Sequence, residues 1–273
     1  MSEFKYQSDS YDRQSQRFVI PLYIKDEIGD YHFSSTGTFI IYNKSHYIVF
    51  AAHALERSDD INNIAMLGID GLFIDLIDIS LGYRIFEDDD LVIVDCFNNI
   101  VDGKNYFLLK DKPSFIGFDK KHFAWTGFPQ SWCKVKIIHR TKKPESIIKE
   151  IFVNNEDGNF LKNARYFTIL SKVKLFNKKE ITGNYSIKNV DLKYKGPVNK
   201  GPNPQGMSGG AMYFFSKGQV LKDNINSTFL FAGIGLSFQK DGTITGISRD
   251  RVIELLKQFN KESPLVFEIS LPK

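Results

Sequence analysis

Three residue types in this chain could share one piece of chemistry: a hydroxyl, an imidazole and a carboxylate. Ser208 lies in "NPQGMSGGAMYFF" (203–215), with Gly206, Gly209 and Gly210 around it and an apolar run after it. Glycines reach positive φ at little steric cost, so such a run can be no more than a tight turn before a buried strand. It can also hold a serine Oγ outward while neighbouring backbone N–H groups converge where an oxyanion would form. The choice between the two depends on whether the chain supplies a base and something to orient it.

A serine hydroxyl is a poor nucleophile near neutral pH, and imidazole is the side chain best matched to removing its proton. Of five histidines, His32, His46, His122 and His139 fall in polar stretches and receive no role. His53 differs, because "YIVFAAHAL" is an apolar strand pattern ending in two alanines, after which the histidine opens a turn. By itself it reads more readily as a structural histidine than as a base. A base also needs an acceptor for its other ring nitrogen. In "FEDDDLVIVDC" (86–96) three consecutive carboxylates precede an apolar run, and Asp90 alone abuts that run.

The elements that must position these residues read as β-strands. From residue 17 onward, short runs rich in β-branched and aromatic residues are broken by polar turns: "RFVIPLYI", "GTFIIYN", "HYIVFAAHAL", "GLFIDLIDIS", "LVIVDCF" and "NYFLLK". The mixed, charged segment 111–124 is the expected crossing between two halves. A second series follows in "WTGFP", "CKVKIIHR", "SIIKEIFV", "ARYFTILSKVKLF", "GAMYFF" and "TFLFAGIGLSF". The basic stretch 134–143 is followed at once by Glu145 and Glu150 and lacks interleaved aromatics, so a solvated hairpin is expected there. One helix is predicted in "SRDRVIELLKQF", where Val252, Leu255, Leu256 and Phe259 recur at helical spacing behind Ser248 as N-cap. The tail "PLVFEISLP" alternates like a last strand.

Histidine after one apolar strand, aspartate before another, then serine in a glycine bend is the chain order of a well-known triad. "AAHAL", "DLVIV" and "GMSGG" resemble the corresponding elements of the chymotrypsin/trypsin-like serine peptidases, and "GTFII" and "GFP" (127–129) match glycine-led strands of the bacterial trypsin-like members. The resemblance runs over about residues 17–260. It implies an all-β fold of two packed, six-stranded antiparallel barrels with a C-terminal helix, and a division into an N-terminal extension (1–16), a first barrel (17–112) and a second barrel (113–273). It implies catalytic roles for His53, Asp90 and Ser208, an oxyanion hole from the backbone N–H groups of Gly206 and Ser208, and no cofactor or metal. Substrate contacts fall on Pro202 and Gln205, and on the strand "FAGIGLSF" (231–238) through Gly233, Ile234 and Gly235, which would pair with an extended substrate.

Three departures stand out. Met207 occupies the position where secreted members carry an aspartate that pairs with a new N-terminus, Ala54 replaces a half-cystine, and Phe50 replaces a smaller residue. Pro202, at the floor of the implied specificity pocket, gives no reason to expect cleavage after Arg or Lys. The implied activity is that of an endopeptidase acting on protein or peptide, under a regulatory partner or with narrow specificity. The alternative is the same fold kept as a catalytically silent binding module, and an interaction protein with an accidental motif is a third reading. An α/β-hydrolase is excluded because its histidine comes last, and here no histidine lies beyond residue 139.

Composition narrows the setting. Over 273 residues, 42% hydrophobic and 25% charged, a net charge of +4 does not call for nucleic acid, and no run of apolar residues is long enough to span a membrane. The polar N-terminus and the two widely separated cysteines, Cys96 and Cys133, suggest buried thiols in a cytoplasmic setting.

Overall fold

Many of the strands are apolar on both faces, and the reason is visible in their burial. In Leu91–Phe97, Leu91 and Ile93 enter one core while Val92 and Val94 enter another. In Ala211–Ser216, Ala211, Tyr213 and Phe215 share the first of these cores, and Met212 and Phe214 point into a third. A strand buried on both faces needs a continuous apolar run rather than alternation. The three cores are therefore one inside each of two curled sheets and one between them.

The structure, a computed structural model, describes residues 14–55, 60–101, 103–133, 136–155, 158–161, 166–192, 196–219 and 224–262. Its strands in chain order begin with β1 (Val19–Lys25), β2 (Tyr31–Tyr42), β3 (Ser45–Ala51), β4 (Ile64–Leu67) and β5 (Phe73–Asp75). Then come β6 (Gly82–Phe86), β7 (Leu91–Phe97), β8 (Phe107–Leu108), β9 (Phe118–Gly127) and β10 (Ile137–Ile138). The second half carries β11 (Phe152–Asn155), β12 (Gly158–Leu161), β13 (Phe167–Lys172), β14 (Leu175–Phe176) and β15 (Glu180–Asn184). The last are β16 (Lys188–Leu192), β17 (Gly196–Lys200), β18 (Ala211–Ser216), β19 (Phe229–Phe238) and β20 (Thr243–Ser248). Among the described residues, helices α1 (Leu76–Ile79), α2 (Pro144–Ile151) and α3 (Arg249–Glu262) accompany these strands, with short 3-10 segments between.

The first sheet runs β5-β4-β1-β2-β3-β7-β6, and the second β13-β9-β18-β19-β20-β15-β14. Pairing is antiparallel along both paths, and the curled sheets with the terminal helix form a double barrel of the chymotrypsin-like kind. The strand counts exceed six and six because short pieces add at the margins. β8 joins β2 in parallel, and β10, from beyond the crossing, joins β2 through Ile137 and His32. The β11-β12 and β16-β17 pairs stand as separate ribbons.

Several expectations need correction. "SIIKEIFV" is mostly helix: Pro144 opens α2 with its φ already set for a helix, and Ile147 and Ile151, four apart, are buried together. The stretch 136–143 is not a hairpin, since only Ile137 and Ile138 are strand and they pair with β2. "GLFIDLIDIS" gives a three-residue strand and then α1. The predicted helix is present as α3, with Val252, Leu255, Leu256 and Phe259 all buried between the sheets. The tail strand at 264–272 and most of the N-terminal extension lie outside the described residues. Cys96 and Cys133 are both buried thiols. Among the described residues no helix is long and apolar enough to cross a membrane.

Candidate active site

The apolar strand β3 ends at Ala51, and the chain turns through a 3-10 segment, Ala52–Leu55, that carries His53. The turn is fixed from the acid loop. The Ala52 N–H donates to the Asp90 carbonyl oxygen at 3.0 Å, and the His53 N–H donates to Asp90 Oδ1 at 2.8 Å. His53 Nδ1 lies 2.6 Å from Asp90 Oδ2. An ionised carboxylate only accepts, so Nδ1 carries the proton and Nε2 of the neutral ring is left as the basic nitrogen. Hydrogen bonding to Asp90 raises the His53 pKa above its ordinary value, an effect that partial desolvation opposes and the carboxylate charge reinforces. Both side chains keep solvent access, His53 at 52% and Asp90 at 37%, so the base is open to an incoming ligand.

Asp90 reaches this position through an unusual backbone. It follows the 3-10 turn Glu87–Asp89 and adopts φ 50°, ψ 45°, the left-handed region that aspartate tolerates better than most residues. Of the three consecutive aspartates, Asp88 is exposed, Asp89 pairs with Arg251, and Asp90 alone meets His53. Phe50, the departure before the alanines, is fully buried inside the first sheet and is absorbed there as a core residue.

The serine loop is held by the other sheet. The Thr36 N–H donates to the Ser208 carbonyl oxygen at 3.0 Å, and Thr36 Oγ1 donates to the Gly206 carbonyl at 2.8 Å. The same hydroxyl accepts from the Phe128 N–H at 3.0 Å, while Thr38 Oγ1 donates to the Gly209 carbonyl at 2.7 Å. Both threonines are fully buried on β2. The glycines permit this approach. A Cβ at Gly209, whose φ is 85°, would fall onto the Thr36 carbonyl oxygen, and one at Gly206, with φ 91°, would come within 2.9 Å of the Phe128 oxygen and the Gln130 nitrogen. Met207 is fully buried in the core of the second sheet. It fills space there instead of supplying a charge.

Inside the loop, Met207 N–H donates to Pro204, Gly209 N–H to Gly235 and Gly210 N–H to Met207. The backbone N–H groups of Gly206 and Ser208 donate to no acceptor among the described residues. Two donors left without an acceptor on a glycine bend are groups that could serve a developing oxyanion. The Ser208 hydroxyl itself donates to the Leu236 carbonyl at 2.8 Å, and among the described residues no hydrogen bond joins it to His53.

The expected substrate contacts fare unevenly. Pro202 is buried, with its carbonyl accepting from the Tyr185 hydroxyl at 3.0 Å, and Gln205 is exposed with its carbonyl accepting from Gln130 N–H. Gly233, Ile234 and Gly235 have no free edge. Gly233 and Ile234 pair with Met212 and Ala211 on one side and with Ser248 and Ile247 on the other, and the Gly235 N–H donates to Gly210. Within the strand 231–238 expected to meet substrate, these three are thus internal to the sheet. Among the described residues β18 pairs with β19 no further than Ile234, so the one-sided stretch of β19 is Leu236–Phe238, where Ser237 and Phe238 pair with β20 past a bulge at Leu236. Thr36, Thr38, Leu236 and Arg251 were not singled out from sequence. The threonines do leave a trace, as hydroxyls two apart at the head of the apolar run in "TGTFII" (36–41).

No family model matches the sequence, and no curated protein matches it. Among solved structures, the chain is similar to the crystal structure of the serine endoprotease from Yersinia pestis. The TM-score is 0.51 and the sequence identity 11%, over 95% of this chain and 69% of that one. At that identity the likeness extends to the fold alone.

Proposed function

We propose that this chain is a serine endopeptidase that hydrolyses peptide bonds through an acyl-enzyme. The observation that carries the reading is the His53–Asp90 pair, with Nδ1 bound at 2.6 Å and Nε2 left free to accept. The N–H groups of Gly206 and Ser208, which have no acceptor among the described residues, support the same reading. In this mechanism Ser208 Oγ leaves the Leu236 carbonyl, gives its proton to His53 Nε2 and attacks the substrate carbonyl carbon. The oxyanion is stabilised by the Gly206 and Ser208 amides. His53 then protonates the departing amine, Asp90 holds the imidazolium, and water releases the acyl group by the reverse sequence. No metal or organic cofactor takes part. An extended substrate would add to the one-sided stretch Leu236–Phe238 by strand pairing. Control by a partner protein, or by narrow specificity, belongs to the same reading.

One observation favours a second reading, a silent protease-fold binding module: the Ser208 hydroxyl rests on Leu236 and not on His53. Incubation with a proteome-derived peptide mixture, read by mass spectrometry against Ser208→Ala, separates the two. Serine-dependent new termini at a restricted set of sequences support the peptidase. Identical peptide pools with both proteins leave the binding module.

A further inference from the structure

We infer that Arg251 is a positioning residue for the His53–Asp90 pair, acting through Asp89 from the terminal helix. The inference rests on the reading of His53 as base and Asp90 as its orienting acid. Asp90 needs holding, because its left-handed backbone is a conformation that non-glycine residues adopt at a cost. Its own anchors lie within the first sheet: the Asp90 N–H donates to the Glu87 carbonyl, the Asp90 carbonyl accepts from the Ala52 N–H, and Oδ1 accepts from the His53 N–H. The side chain immediately before it is gripped from a distant part of the chain. Arg251 Nε donates to Asp89 Oδ1 at 2.8 Å and Nη2 to Asp89 Oδ2 at 2.7 Å. This two-point fork fixes the orientation of the carboxylate as well as its place. Arg251 is in turn held by Glu254, whose Oε2 accepts from Nη1 at 3.0 Å.

The grip is well founded mechanically. Helix α3 packs on β19 and β20 of the second sheet with its apolar face in the core between the sheets, and it reaches the first sheet where Phe259 meets the Tyr47 ring and the Tyr47 hydroxyl donates to Asn260 at 3.1 Å. Asp89 and Asp90 are consecutive, so rotation of one about the chain displaces the other across a single rigid peptide unit. The turn also carries Glu87, Asp88, Asp89 and Asp90 in sequence, and Arg251 offsets the mutual repulsion that would otherwise splay it. Asp89 is the better shielded of the pair, with 17% of its side chain exposed against 32% for Arg251. A helix anchored on the second sheet thereby sets the acid of the first.

The test compares Arg251→Met, Asp89→Asn and Arg251→Lys with the parent by ¹⁵N NMR of the histidines, above the pH at which His53 loses its charge. It is paired with the rate of fluorophosphonate labelling at Ser208. The parent should hold neutral His53 as the Nδ1–H tautomer. Arg251→Met and Asp89→Asn should both shift it toward the Nε2–H tautomer and slow labelling on the order of 10²-fold, with Arg251→Lys recovering part of both. The two substitutions change the local charge in opposite directions, so a purely electrostatic role would move the His53 titration oppositely in each. That result, or an unchanged tautomer in either folded variant, overturns the inference. Should Arg251→Met not fold, Asp89→Asn decides alone. The tautomer measurement needs no turnover, so a parent that never labels counts against the peptidase and leaves the positioning test intact.

Discussion

Thr36 holds Ser208 from the opposite sheet. Its N–H donates to the Ser208 carbonyl and its buried hydroxyl to the Gly206 carbonyl two residues earlier, while accepting from the Phe128 N–H. The serine loop, built on the second sheet, is thus registered against the first, the sheet that carries His53 and Asp90. Replacing Thr36 by valine keeps the shape and removes the hydroxyl, leaving the part-buried Gly206 carbonyl and the buried Phe128 N–H without this partner. The expected loss is about 1–3 kcal/mol of stability, measured by urea unfolding, together with slower labelling of Ser208. An unchanged urea midpoint and unchanged labelling would show that the hydroxyl does not hold the loop.

Gly209 should be the least replaceable glycine of the bend. Alanine there would have to adopt φ 85° and would drive its Cβ onto the Thr36 carbonyl oxygen. Gly209→Ala is expected to cost more than about 2 kcal/mol, by urea or thermal unfolding, and to abolish labelling. Gly103 provides the contrast, since it also has positive φ but nothing within 4 Å of an added Cβ, so its alanine variant should be milder.

The acid can be identified by substitution. Asp90→Asn should lower the rate of serine acylation by a factor on the order of 10⁴, because the amide favours the wrong histidine tautomer. Asp88→Asn should leave the rate close to that of the parent, as Asp88 is exposed and does not meet His53. Equal effects of the two would contradict the assignment.

The pH dependence follows from the raised His53 pKa. A base works when neutral, so acylation should rise with pH through a midpoint above 6.5, the ordinary histidine value. In Asp90→Asn the hydrogen bond and charge that raise it are lost, and the midpoint should fall. The stability effect has the opposite sign. A raised folded pKa favours the charged, folded form, so the pair's contribution is complete below the ordinary value and is lost as pH rises through the folded one. A parent midpoint at or below the ordinary value, by NMR titration, would remove the basis for this expectation.

How much of this was legible in the sequence depends on how local the signal was. The apolar runs of β3 and β7 and the glycines around Ser208 announce themselves, because each strand is buried on both faces and the bend needs positive φ. Segment 144–151 misled, since its isoleucines look strand-like unless Pro144 is read as a helix start and the four-residue spacing of Ile147 and Ile151 is counted. β19 is legible as the strand expected to meet substrate, but the part of it that β18 leaves uncovered is not. Which residues keep a free side depends on where β18 ends, and that is set by pairing across the sheet. The Asp89–Arg251 fork joins residues 162 apart, and a single arginine on a helix carries no mark of its distant partner.

The decisive measurement is fluorophosphonate labelling of the purified protein beside Ser208→Ala and His53→Ala, with folding of all three checked by thermal unfolding. Labelling of the parent that is lost in both variants would establish a serine activated by this histidine. A folded parent that does not label, or labelling that persists without His53, would contradict the proposed mechanism.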